Sequence, residues 1–147
     1  MKHLRWFFLL PVALLLSSCM HGGGVVLRET PLNISETRKV IVSVIGEPRS
    51  ISQNGRELFS QYYDKKGKNI EKMDMAKERY STHVLVLGDR RPYDVQVEVL
   101  IEDRNDDGGF DVTDRDDDKA ATIAEKIKKA LALSRDNRNI IDDFRSF

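Results

Sequence analysis

Cysteine is nearly absent from this chain of 147 residues; the only one is Cys19. A lone thiol excludes an internal disulfide framework and any site built from several thiolates. Histidine is almost as scarce, with His3, His21 and His83 the only three, which leaves little for a histidine-rich metal site or a general base. No G-x-S-x-G elbow, phosphate-binding P-loop, H-E-x-x-H or G-x-G-x-x-G pattern occurs, so catalysis is not expected. Nor does one charge prevail, since 24 Lys and Arg face 24 Asp and Glu. Nucleic-acid binding normally brings a basic surplus, and this chain lacks it. The longest apolar run, residues 6–16, has eleven residues, well short of the roughly 20 that a membrane-spanning helix needs.

What is present at the start of the chain is strongly ordered by type. Lys2 and Arg5 precede the apolar run, and Ser17 and Ser18 follow it, leading directly into Cys19. A basic start, a short apolar stretch and small residues have the form of a secretory signal peptide, residues 1–18. Leu16, Ser17, Ser18 and Cys19 match the lipobox, and over residues 1–20 the chain resembles a bacterial lipoprotein. That resemblance implies diacylglycerol on the Cys19 thiol and cleavage before it by signal peptidase II. Each buried acyl CH₂ contributes about 0.8 kcal/mol, so two or more chains anchor a protein without a spanning helix. Met20, at the position that sorts such proteins, implies the outer membrane, with the domain facing the periplasm and an envelope protein as partner. His21 and Gly22 to Gly24 then belong to a flexible tether, residues 19–35, glycine permitting many conformations, with one short edge strand as an option at Val25, Val26 and Leu27. Asn33, Ile34 and Ser35 match a glycosylation sequon, an incidental match in a bacterial lipoprotein. Losing residues 1–18 removes two cations and leaves 22 positive charges against 24 negative.

The remaining residues, 36–147, are expected to form one α+β domain. Its core is a mostly antiparallel sheet of about four or five strands. A long amphipathic helix and a short terminal helix pack on one face of that sheet. Residues 38–47 place Val40, Val42 and Val44 opposite Ile41 and Ile45, the alternation of a strand covered on both faces. Residues 58–63 are predicted as a strand on their aromatic content, and 69–77 as a short helical connector. Phe59, Tyr62 and Tyr63 read as aromatic core, with an interface patch as the alternative. The strongest pattern is a hairpin: residues 80–87 and 93–101 flank a turn at 88–92. Tyr93, Val95, Val97, Val99 and Ile101 share one face, while Asp94, Gln96 and Glu98 share the other. Arg90 and Arg91 at its tip are candidates for contact with a phosphate, a carboxylate or an acidic partner loop. His83 is expected to be structural, within a strand.

Residues 116–134 carry Ala120, Ile123, Ala124, Ile127, Ala130 and Leu131 at helical spacing. Residues 135–147 are expected to form the short terminal helix, with Ile140, Ile141 and Phe144 as its apolar face. Ahead of the long helix, residues 102–118 hold nine acids and two arginines. Within them Asp103, Asn105 and Asp107 alternate and Gly108 follows, the D-x-[DN]-x-[DN]-G order of a calcium loop. Residues 103–114 resemble EF-hand and dockerin-type loops. That resemblance implies Ca²⁺ bound by Asp103, Asn105, Asp107, Asp111 and Asp114 with the Gly109 carbonyl, Phe110 anchored on the core, and a strand–loop–helix layout. A solvated acidic connection between strand and helix is the alternative.

Overall fold

The computed structural model describes residues 23–137. The lipobox, His21 and most of the expected terminal helix, including Ile140, Ile141 and Phe144, lie outside the described residues. Strand β1 (Val25–Thr30) comes first, followed by helix α1 (Ile34–Ile45) and strands β2 (Ser50–Ile51) and β3 (Glu57–Phe59). Strands β4 (Glu78–Leu87), β5 (Tyr93–Arg104) and β6 (Phe110–Arg115) lead into helix α2 (Asp117–Asp136). All six strands form one antiparallel sheet in the order β1-β5-β4-β3-β2, with β6 also on β5. The class is α+β, with more strands than expected.

The hairpin 80–101 is where the alternation places it. Strands β4 and β5 pair from Glu78↔Asp103 to Leu87↔Asp94 without a register slip. One edge of β5 therefore carries β4 along its length. The other edge is shared end to end, with β1 opposite Tyr93 to Val97 and β6 opposite Leu100 to Arg104. The predicted face of β5 is the covered one: Val95, Val97 and Val99 are buried beside Val84, Val86 and Leu58. Helix α2 lays Ala120, Ala124, Ile127 and Leu131 on this face, as its stripe requires. Asp116 caps it, accepting from the Lys119 backbone N–H at 2.9 Å.

The second helix on that face is α1, which the sequence pattern had as a strand. Residues 38–47 satisfy both periods, because Thr37, Val40, Ile41 and Val44 also recur at helical spacing. Local chemistry at the two ends decides the matter. Asn33 and Glu36 form a reciprocal capping box, the Asn33 side chain accepting from the Glu36 N–H at 2.9 Å. Gly46, at φ 80°, closes the helix with its N–H donating to the Val42 carbonyl at 2.9 Å. Asn33 of the sequon match is thus a helix cap. Helices do not simply follow strands along the chain, since α1 precedes five of the six strands.

Other boundaries move as well. The fold begins at β1 and not at residue 36: Thr30 and Leu32 are buried, and the short apolar run at Val25 to Leu27 is an edge strand that extends to Thr30. Segment 58–63 is strand only to Phe59, after which Tyr63 makes isolated bridges to Asn69 and Tyr80. The connector 69–77 holds one short turn of 3₁₀ helix, Met73–Met75, with no capping side chain.

Removing either determinant of α1 is expected to show in urea unfolding. Asn33→Ala should cost about 1 kcal/mol through the lost cap, and Ile41→Ala about 2–5 kcal/mol through the cavity left in the core. A strand at 38–47 would leave Asn33→Ala silent.

Candidate functional site

Alternation sends every second side chain of β3, β4 and β5 to the face that neither helix covers. His83 lies there, in register with Phe59 and Glu98. Its Nε2 is 2.8 Å from Glu57 Oε1 and its Nδ1 is 3.3 Å from Glu98 Oε2. Each ring nitrogen thus faces a carboxylate oxygen. The Phe59 ring stacks on it at 4.4 Å and 6°. From Phe59 an alternating stack crosses the sheet. The Arg49 guanidinium lies 4.9 Å from the Phe59 ring and 4.3 Å from Tyr62. Arg79 then sits 3.8 Å from both Tyr62 and Phe110. Arg79 also donates from Nε to Glu102 Oε2 at 2.7 Å, and Glu102 is buried. Phe59 and Tyr62 are therefore neither core nor free patch; each ring is held against a cation.

The acidic segment is a second hairpin, so the expected strand–loop–helix becomes strand–turn–strand ahead of α2. Gly108, at φ 82°, does supply a sharp turn, but it is a tight one between β5 and β6. The Asn105 carbonyl accepts from the Gly108 N–H, and the Asn105 N–H donates to the Gly109 carbonyl, both at 3.0 Å. Asp103 and Asp111 stand opposite each other in register, and Glu78 stands opposite Asp103 on the other side. Asp103 Oδ2 accepts from the Thr113 hydroxyl at 2.8 Å, and Asp111 Oδ2 from the Asn105 amide at 3.0 Å. Asp107 is exposed in the turn, and Asp114, in register with Ile101, accepts from the Arg115 N–H at 2.8 Å. Phe110 packs under Arg79, on the face away from the helices. Among the described residues no group of three or more His, Cys, Asp or Glu is gathered as metal ligands.

Arg90 and Arg91 are exposed in the turn between β4 and β5, as expected. Arg56 joins them there, its guanidinium donating to the Gly88 carbonyl and lying 5.5 Å from the Tyr93 ring. Sequence spacing gave no sign of Arg56, which approaches from the residue just before β3.

On the helix side the molecule has a cleft of about 550 Å³ between the end of α1, the first turns of α2 and the segment after β3. Val44, Ile45 and Ile123 supply apolar lining, with the hydroxyls of Ser60, Tyr63 and Thr82. Tyr63 and Thr82 share a hydrogen bond of 2.9 Å, and burial raises the Tyr63 pKa. Lys65, Lys66, Lys119 and Lys126 stand around the cleft with one acid, Asp118. Lys119 is engaged, its Nζ 2.6 Å from Asp116 Oδ2 and 4.7 Å from the Tyr80 ring. The hydrogen bonds from Lys119, set against some burial, hold the Asp116 carboxyl below its ordinary range. Tyr80 is pushed up to about 12, first by burial and then by Glu78, with Asp116 and Asp103 adding charge. None of these cleft residues sits in a sequence motif. They come from four separate segments, and only the fold brings them together.

No protein-family model, curated protein or solved structure matches this chain. Among the described residues no helix is long and apolar enough to cross a membrane.

Two outcomes test this geometry. Arg79→Ala leaves Glu102 buried without its cation and should cost about 3–5 kcal/mol in denaturant unfolding. The double change R79M/E102L should recover most of that loss. Asp116→Ala should cost about 1 kcal/mol near neutral pH. Because the folded Asp116 pKa is depressed, its contribution is complete above 3.8 and is lost as pH falls through the folded value. Wild type and variant should therefore converge in strong acid.

Proposed function

We propose that this chain is a lipoprotein anchored in the outer membrane, with a periplasmic domain that acts by binding or as envelope architecture and not by catalysis. The observation that carries the reading is the run Leu16, Ser17, Ser18, Cys19 behind a basic and then apolar leader. The start of the fold supports it. Strand β1 begins at Val25, so the residues between it and Cys19 reach at most roughly 20 Å, and the domain stays close to the bilayer. Cleavage before Cys19 would remove Lys2 and Arg5, leaving a near-neutral protein that holds to the membrane through acyl chains and not through a polybasic segment.

The non-catalytic part of the reading rests on how the reactive side chains are used. In this reading the Cys19 thiol carries lipid. The His83 imidazole lies between Glu57 and Glu98 and against Phe59, where it joins strands β3, β4 and β5. The acidic hairpin sets its carboxylates along two strands, Asp103 held by Thr113 and Asp111 by Asn105.

Replacing Cys19 with Ala is expected to move the protein from the membrane to the soluble fraction and to abolish incorporation of labelled fatty acid. Unchanged fractionation of that variant would overturn the anchor. Density-gradient separation of the two membranes then checks the placement that Met20 implies.

A further inference from the structure

The helix-side cleft combines properties that belong together in a ligand site. At about 550 Å³ it falls within the range of small-molecule pockets, roughly 300–1,000 Å³. Its charge departs from that of the chain, which has as many acids as bases. Four lysines line it and only one acid, Asp118, does so. Among the described residues Lys65, Lys66 and Lys126 take part in no ion pair of 4.0 Å or less, whereas Lys119 is paired with Asp116. An ammonium on a flexible stem is a mobile point charge, suited to an anionic head that does not demand one fixed geometry.

The lining beneath the lysines is of a different kind. Val44, Ile45 and Ile123 are only partly buried, at the margin of the core. Beside them the Tyr63 and Thr82 hydroxyls are already bonded to each other at 2.9 Å. Thr82 is 2% exposed and Ser60 is 3% exposed, and Ser60 Oγ donates to the Gln61 carbonyl at 2.8 Å. This lining therefore asks little hydrogen bonding of a ligand and offers apolar surface. Cations stand at the mouth and aliphatic side chains lie within.

We propose that this cleft binds an amphiphilic anion, a short apolar body carrying a phosphate or carboxylate head, with Lys65, Lys66 and Lys126 at the head and Val44, Ile45 and Ile123 around the body. The proposal does not depend on the lipid anchor. A membrane lipid and a free small molecule share this chemistry, and the experiment separates them.

The purified full chain, mixed with phosphatidylcholine nanodiscs whether or not it attaches to them, is titrated calorimetrically with hexyl phosphate, with the heat of discs alone subtracted. Saturable binding is expected. Inorganic phosphate, which lacks the apolar body, and hexanol, which lacks the charge, should each bind at least about tenfold more weakly, since every 1.4 kcal/mol is a factor of ten. Lys65→Glu with Lys66→Glu, both at exposed positions, should weaken binding by about tenfold or more with the circular dichroism unchanged. Ile123→Trp, which fills the cleft, should abolish it. Discs containing phosphatidylglycerol that suppress the hexyl phosphate heat assign the site to a membrane lipid; discs that leave it intact assign it to a free ligand. Equal binding of hexanol, equal binding of inorganic phosphate, insensitivity to the lysine reversals, or no saturable heat would each overturn the proposal.

Discussion

Edge pairing along β5 is the constraint from which the other elements take their places. A strand of twelve residues with one apolar and one polar side has to bury the first and leave the second wet. Its polar edges also need partners along their whole length. One edge is met by β4. The other is met by two shorter strands, β1 and β6, drawn from opposite ends of the described chain. Both helices then lie on the apolar face, because that is where Val95, Val97 and Val99 require cover.

The uncovered face is held by a different physics. Rings and guanidinium groups alternate from Phe110 through Arg79, Tyr62 and Arg49 to Phe59, and His83 ends the run between two carboxylates. Such contacts contribute about 0.5–2 kcal/mol each, depending on burial. Their effect here is to tie together segments that share few backbone bonds: the loop before β2, the irregular chain after β3, and β6. The segment from Ser60 to Lys77 has little regular structure, so fixing Tyr62 on one face helps hold Tyr63 over the cleft on the other.

Legibility in the sequence followed the strength of a single period. Strands β4 and β5 and helix α2 each carry one unambiguous pattern over many residues, and all were readable. Residues 38–47 carry two patterns at once, and the deciding features, Asn33, Glu36 and Gly46, sit at or beyond the edges of the apolar run. The acidic hairpin shows the converse. An alternation of Asp and Asn before a glycine serves a metal loop and a tight β-turn equally well, because both need oxygen acceptors near the backbone and a residue at positive φ. The stack and the cleft were not readable at all. Arg49, Tyr62, Arg79 and Phe110 are far apart in sequence, and no periodicity relates them. The same holds for Lys65, Ile123 and Val44.

The shared edge of β5 leaves a seam where β1 starts beside Val97 and β6 ends beside Leu100. Gly23 and Gly24 occupy it, Gly24 at φ 110°, and a Cβ there would run into the Val97 carbonyl and the Glu98 side chain, or at Gly23 into Arg115. The chain therefore enters the sheet in the middle of an edge and not at a corner. Arg115, which a side chain at Gly23 would meet, stands one residue before the cap of α2. Val25, the first residue of β1, also packs against the small cluster of Tyr80, Val99 and Ala120, so the start of β1 and the start of the helix that lines the cleft share one piece of core.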